Sequence, residues 1–183
     1  MSADFFPKPY ADFVARLRVP SGFLLVAAFA WWAHPSVRSL AYGVPISIAG
    51  LALRGWAAGH LAKNQRLATS GPYAYVRNPL YLGTLLVAAG LAIACRSLGL
   101  ALLFGAVFLL IYLPVIMLEE QHLRKLFPEF KDYAANVPSL VPIRKPTFVV
   151  DSFRWQLYAK NREYQALLGF TAGLGWLVWR CTF

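Results

Sequence analysis

Apolar residues along the chain collect into five stretches separated by short polar breaks. The first runs from Val19 to Ala33 and is closed by His34 and Pro35. The second runs from Leu40 to Ala62 with Pro45 in its first turn, where a missing amide costs little. The third begins at Pro79 and ends near Cys95; the fourth spans Leu98 to Leu118, and Arg96 and Ser97 between them predict a tight helical hairpin. The last is Tyr164 to Cys181, bordered by Tyr164, Trp176 and Trp179 as interfacial aromatics. A helix needs about 20 apolar residues to cross about 30 Å of hydrocarbon, so all but the short first stretch approach a full span. The pattern predicts an all-α fold: a polytopic membrane helix bundle with about five transmembrane helices, in one domain covering residues 1–183.

Two further segments carry helical periodicity with a polar face. In 118–138, Leu123, Leu126, Phe127, Phe130 and Val137 follow the spacing of an amphipathic helix. Pro128 is expected to divide it into an extension of the fourth span and a new helix with proline at its first position. The second segment, Ser152 to Glu163, leads into the last span, and both read as cytoplasmic interfacial helices.

Composition agrees: 58% of the 183 residues are hydrophobic and only 14% charged, too apolar for an ordinary soluble domain. The net charge of +10 raises the question of nucleic acid, but the distribution of the basic residues answers it. Fourteen of the eighteen lie in the N-terminal segment, the 63–78 loop and the 119–163 segment, while Arg38, Arg96 and Arg180 lie on the other side and Arg54 within a span. The positive-inside rule then predicts a cytoplasmic N-terminus and an outer C-terminus in the inner or plasma membrane, and no nucleic acid partner is needed. Cys95 and Cys181 form neither a disulfide framework nor a metal-spaced cluster, so no metal site is expected. The first twenty residues, with Asp4, Asp12 and two prolines, do not read as a signal peptide.

Candidate chemistry concentrates on the predicted cytoplasmic face. Glu119 and Glu120 end the fourth span, where the helix dipole does not favour carboxylates. Arg77, Arg124, Lys125 or a cationic ligand could compensate them. In the loop 71–83, Gly71-Pro72 is a turn and Asn78-Pro79 reads as an N-cap followed by proline. The helix amides beside Arg77 form a candidate anion site, and Tyr73, Tyr75 and Tyr81 could cover a planar ligand. In the second span, a charge at the depth of Arg54 costs about 2.5–3.5 kcal/mol, so it must face the bundle or snorkel. Trp56, His60 and Lys63 share one helical face, and Gly55 and Gly59 have small-xxx-small spacing for helix packing. Arg54, Trp56 and His60 are the candidates for contact with substrate, although a histidine at position 60 is more readily a packed or headgroup-facing one than a ligand.

The sequences ATSGPYAYVRNPLYLG (68–83) and LEEQHLRKLFPEFKDYAANVPSLVPI (118–143), separated by a helical hairpin, resemble the integral-membrane methyltransferases of the isoprenylcysteine carboxyl methyltransferase and phospholipid methyltransferase group. The shared pattern is a Gly-x-Tyr turn, Arg-His/Asn-Pro-x-Tyr-x-Gly, then Glu-Glu-x-x-Leu and a closing Val-Pro. It covers roughly residues 40–143, leaving 144–183 as an additional amphipathic stretch and span. The resemblance implies S-adenosylmethionine as cofactor, held by Tyr73, Arg77, Asn78, Pro79 and Tyr81 from the first motif and by Glu119 and Glu120 from the second. The acceptor it implies is a membrane lipid or lipophilic small molecule, and catalysis is expected to rest mainly on positioning, with at most one weak general base from Glu119, Glu120 or His122. Removing the charge of Arg77 or Glu120 is then expected to weaken cofactor binding with little loss of folded protein. Asn78 stands where the prenylcysteine branch has His, which favours a lipid head-group amine over a carboxylate as acceptor. Two other readings stay open: a sterol-reductase-like enzyme using NADPH, and a small transporter or scaffold subunit.

Overall fold

The computed structural model describes residues 8–143 and 151–182. Residues 1–7, on which part of the signal-peptide reading rests, and the basic residues Arg144 and Lys145 lie outside the described residues. The described chain is helical: α1 (Lys8–Trp32), α2 (Val37–Ala58), a short 3₁₀ turn (Gly71–Ala74), α3 (Pro79–Cys95), α4 (Leu98–Leu126), α5 (Phe130–Asn136), α6 (Trp155–Lys160) and α7 (Tyr164–Thr182). Among the described residues there is no strand.

All five apolar stretches are helical over most of their length, though α2 ends at Ala58, which puts His60 and Lys63 beyond the helix and not on one helical face with Trp56. Among the described residues only α4, at 29 residues, is long and apolar enough by itself to cross a membrane. Pro20–Trp32 and Pro79–Cys95 are shorter apolar helices. The expected hairpin between α3 and α4 is present: Arg96 adopts the left-handed conformation (φ 52°) and the Ser97 side chain accepts from Leu100 N. Other expected boundaries differ as well, among them that of the Ser152–Glu163 segment, whose helix is confined to Trp155–Lys160. A capping box in which Ser36 and Ser39 satisfy each other's amides starts α2 at Val37, so Pro45 sits well inside the helix and not in its first turn. Pro128 lies in the turn before α5, which begins at Phe130.

Helices α2 and α3 approach until their backbones touch. A Cβ at Gly43 would lie 2.3 Å from the Gly90 carbonyl oxygen, and one at Gly50 would lie 2.6 Å from that of Gly83. Between these contacts the buried Ser47 hydroxyl donates to Val87 O (3.1 Å), and Ser39 donates to Ala94 O (2.8 Å). Ser39, Gly43, Ser47, Gly50 and Arg54 recur every three or four residues and so form one stripe. The helix-packing glycines are therefore Gly43, Gly50, Gly83 and Gly90. Gly55 and Gly59 instead face Tyr158 and Phe153, and the phenyl ring of Phe153 fills the space a Cβ on Gly59 would need. That corrects the expectation from the small-xxx-small spacing.

Helix α4 carries a π-helical segment at Phe108–Tyr112, and its cause is local. Pro114 has no amide for the carbonyl four residues earlier, and that carbonyl, Leu110 O, accepts from the Tyr10 hydroxyl of α1 (3.0 Å). The wider turn is closed by Leu113 N to Phe108 O. Beside it lies an apolar cavity of about 270 Å³ lined by Leu25, Thr84, Ala88, Ala92, Phe104 and Tyr112, among others.

The backbone contact predicts a contrast between two glycines. Gly50→Ala should lower thermal stability, by about 1–3 kcal/mol as overpacking does, because its new methyl meets the Gly83 carbonyl. Gly105→Ala, with nothing within 4 Å of the added carbon, should be neutral or gain up to about 1 kcal/mol from helix propensity. Thermal unfolding of the two detergent-purified variants measures the difference.

Candidate active site

Four separate pieces of chain converge at one end of the bundle: the end of α2, the loop and first turn that open α3, the last turns of α4, and the segment after α5. The last three of these are joined at Glu120. Its Oε1 accepts from Arg77 Nε (3.0 Å), Asn78 Nδ2 (2.8 Å) and Ser139 Oγ (3.1 Å), and its Oε2 accepts from Arg77 Nη2 (3.0 Å). Arg77 Nη1 donates to the carbonyls of Ala134 (2.8 Å) and Val137 (2.7 Å), which holds α5 against the loop. Backbone pairing completes the join, from Arg77 N to Pro138 O (2.8 Å) and from Asn78 N to Ser139 O (3.0 Å). The closing Val-Pro of the second motif is thus the strip on which the first motif docks.

Glu119, its neighbour on α4, points elsewhere. Consecutive helical residues are turned by about 100°, and Glu119 Oε1 accepts from the Tyr81 hydroxyl (2.9 Å) in α3. The Tyr81 ring lies edge to face with Tyr112 (centroids 6.0 Å apart, 73°), and Tyr112 lines the apolar cavity. Tyr73 is buried in the 3₁₀ turn, and its backbone carbonyl accepts from the Tyr133 hydroxyl (2.8 Å). Burial, chiefly, pushes the Tyr73 phenol well above its ordinary value; Tyr133 and the carboxylates Glu119 and Glu163 act in the same direction, and Arg54 opposes them. Burial likewise raises Tyr133.

The structure therefore gathers Tyr73, Arg77, Asn78, Tyr81, Glu119 and Glu120 as expected, with Pro79 buried at the first position of α3, but it assigns several of them differently. The cationic partner of Glu120 is Arg77; Arg124 instead lies over the Phe130 ring (5.8 Å). Asn78 occupies the N-cap position without a side-chain cap, and its Nδ2 donates to Glu120 and Ser139. The Tyr81 and Leu82 amides turn back to Asn78 O. Arg77 donates to a carboxylate and two carbonyls and does not stand open beside the helix amides as an anion site. His122 is exposed and, two residues beyond Glu120, is turned to the far side of the helix from it.

The three candidates for substrate contact also separate. Arg54 binds Glu163 through two hydrogen bonds (Nε to Oε1 2.5 Å, Nη2 to Oε2 3.1 Å) and also donates to Thr84 Oγ1 and Leu80 O. His60 is buried, with Nδ1 against Trp56 O (2.9 Å) and Nε2 against Asp151 O (3.2 Å), so the packed reading holds for it. Trp56 is exposed and lies near Tyr75 (centroids 6.4 Å). Sequence reasoning missed Glu163, Thr84 and Ser139. Ser139 follows the Val-Pro of the motif directly, and that adjacency was the available signal.

A family model described as phospholipid methyltransferase matches residues 22–129. The chain belongs to the phospholipid methyltransferase family. It is 37% identical over 114 residues to a cobalt-zinc-cadmium resistance protein of Cupriavidus metallidurans (61% of this chain, 51% of that one). To a nickel-cobalt-cadmium resistance protein of Alcaligenes xylosoxydans xylosoxydans it is 36% identical over 102 residues (55% and 46%). A protein-S-isoprenylcysteine O-methyltransferase of Schizosaccharomyces pombe is 29% identical over 142 residues (74% and 60%). The chain thus spans about half the length of the first two relatives and 60% of the third. No solved structure matches it. Among the described residues no group of His, Cys, Asp and Glu could hold a metal ion. The phospholipid methyltransferase match includes Arg77, Asn78, Glu119 and Glu120 but stops before Ser139 and Glu163.

Two outcomes follow for this network. Because Arg77 and Glu120 are both mostly buried (side chains 15% and 14% exposed), Arg77→Ala strands a carboxylate and two carbonyls. It should cost about 3 kcal/mol or more, seen as a lower unfolding temperature without any ligand. This replaces the expectation of little loss of folded protein. Tyr73 and Tyr133 keep their protons in the folded state at pH values where the unfolded chain, with ordinary phenols near 10, loses them. The contribution of these two tyrosines to stability should therefore be constant below pH 9 and fall as pH rises above about 10. Tyr133→Phe should flatten part of that fall in a pH series of thermal scans.

Proposed function

We propose that this chain transfers a methyl group from S-adenosylmethionine to a lipophilic acceptor at the cytoplasmic face of a membrane. The observation that carries the reading is the meeting of a polar centre with an apolar cavity: Tyr81, hydrogen-bonded to Glu119, stacks edge to face on Tyr112, which lines the cavity. Family membership supports it independently. Such a junction suits a reaction whose two partners differ in polarity, one arriving from water and the other from lipid.

The donor set fits the cofactor in part. When bound, S-adenosylmethionine supplies an electrophilic methyl on a cationic sulfonium. Glu119, with the Tyr73 and Tyr81 rings near it, offers the negative charge and aromatic surface that a sulfonium or ammonium group prefers. Arg77, Asn78 and Glu120 act as the frame that keeps Glu119 and Tyr81 in register. With Glu120 held in the frame and His122 turned outward, Glu119, positioned by Tyr81 beside the cavity-lining Tyr112, is the carboxylate assigned to orient the acceptor or to take up a weakly held proton. Asn78 is part of the frame, so its presence in place of His does not choose between an amine and a carboxylate acceptor.

The arrangement of the helix ends supports five crossings with both motifs on one side. Arg54–Glu163 and Asn78–Glu120 join the end of α2, the start of α3, the end of α4 and the start of α7. At the opposite end, His34 N donates to Cys95 O (3.0 Å) and Arg180 to Ala33 O (3.0 Å). With the basic residues concentrated at the motif end, that end is cytoplasmic and the C-terminus lies outside.

Activity is measured by reconstituting the full chain in phospholipid vesicles with labelled S-adenosylmethionine and following label in the extracted lipid. Glu119→Gln should lower kcat/KM by about tenfold to a hundredfold, the loss of one charge-assisted contact of about 1.5–3 kcal/mol, at unchanged unfolding temperature. His122→Ala should cost less than about tenfold, under 1.4 kcal/mol. No lipid labelling by the wild type together with no binding of S-adenosylhomocysteine would overturn the reading.

A further inference from the structure

The segment after residue 150 lies outside the family match, yet it is tied closely to the end of α2. Arg154 N donates to Gly59 O (3.0 Å), Asn161 Nδ2 donates to the carbonyls of Ala58 and Leu61 (2.9 Å each), and the Phe153 ring lies over Gly59. The last of these ties is of another kind. Glu163 is 9% exposed and binds Arg54 through both oxygens. Arg54 reaches on across α3: its Nη1 donates to Thr84 Oγ1 (2.5 Å) and to Leu80 O (3.3 Å), and Thr84 Oγ1 donates to the same carbonyl (2.9 Å).

A contact that served only to fasten α7 would end at α2. This one ends in the first turns of α3, on the residue between Pro79 and Tyr81. The Arg54 stem also lies where a Cβ on Gly83 would be, 2.5 Å from Cγ, so the glycine that lets α2 and α3 touch also makes room for the arginine. Buried ion pairs seldom add net stability, because desolvation offsets their attraction; a role in holding geometry accounts for the retained charges better. Without Glu163 the guanidinium would lose its counter-charge and would snorkel toward water, leaving Thr84 and Leu80.

We propose that Glu163 is a positioning residue for the methyl-transfer site. By holding Arg54 against Leu80 and Thr84, it fixes the first turn of α3 and thereby sets Tyr81 against Glu119. The proposal rests on the functional reading above for the word methyl, and on the geometry alone for the positioning.

The test uses the full chain in vesicles, with Glu163→Ala, Glu163→Gln, Arg54→Ala and the double variant Arg54→Ala/Glu163→Ala. Amide hydrogen exchange reads the positioning without any ligand. In Glu163→Ala, exchange at Tyr81 and Leu82 should rise by about tenfold or more while residues 90–95 stay unchanged. Glu163→Gln, which keeps a hydrogen-bonding side chain, should be intermediate, and the double variant should be no worse than Arg54→Ala. Methyl transfer per S-adenosylhomocysteine-binding site should fall in the same order, in kcat more than in KM for the donor. Unchanged exchange at Tyr81 and Leu82 with loosening confined to α7 would overturn the proposal, as would equal turnover per binding site in Glu163→Ala and wild type. If the wild type binds no S-adenosylhomocysteine, the functional reading fails, and the exchange pattern alone decides whether Glu163 positions α3.

Discussion

A carboxylate near the C-terminal end of an apolar helix gains nothing from the helix dipole and, once mostly buried, must be given donors. Glu120 is in that position, and much of the motif end of the bundle can be read as the supply of those donors. Arg77 and Asn78 come from the loop that opens α3, and Ser139 comes from the strip beyond α5. Because one carboxylate takes all three, it fixes three pieces of chain at once. The spare donors of Arg77 then go to Ala134 and Val137 and carry the constraint into α5. A change at any of these positions leaves several groups unsatisfied together, so their effects on stability should be coupled.

The second constraint lies deeper and is steric. Gly43 against Gly90 and Gly50 against Gly83 bring α2 and α3 into backbone contact, with Ser39 and Ser47 bridging the same seam. Arg54 continues that stripe by one turn. Had the seam been lined by larger residues, the helices would stand apart and the guanidinium could not reach both Glu163 and Leu80. Close packing by small residues and the burial of a charge are therefore parts of one arrangement: the first sets the distance over which the second operates.

These two constraints differ in how far the sequence showed them. The motif residues were legible because Arg77, Asn78, Glu119 and Glu120 sit in short, ordered patterns, and chemistry alone requires a cation near paired carboxylates. The roles of Arg77 and Asn78 were not legible, since a capping position and a free anion site look the same in sequence as a frame that spends its donors on Glu120. The packing seam was obscured by its spacing: Gly43/Gly50 and Gly83/Gly90 recur every seven residues, whereas Gly55 and Gly59 carry the familiar four-residue interval and face aromatic rings of the C-terminal segment. Glu163 was hidden for a different reason. In a run with Lys160 and Arg162 it reads as one member of a solvated charge cluster, and only the fold shows that it turns inward to a cation 109 residues away. The π-helical turn was foreseeable in part, because Pro114 must free the Leu110 carbonyl; that Tyr10 takes it up is a tertiary fact.

Two adjacent glutamates end with opposite duties, and the helix makes this possible. A step of about 100° turns Glu120 toward Arg77 and leaves Glu119 facing Tyr81, above the widened turn of α4 and the cavity beside it. On the proposed reading, the frame keeps one carboxylate rigid so that the other can be placed accurately, which matters for a transfer that depends on alignment of the reacting atoms more than on acid or base strength. On the same reading the cavity would meet that point from the lipid side, where small residues of α3 and the π-helical turn of α4 leave room for an apolar chain. A polar donor and an apolar acceptor can then reach the same few ångströms without either crossing the environment of the other, and the Tyr81–Tyr112 pair is the boundary at which they would meet.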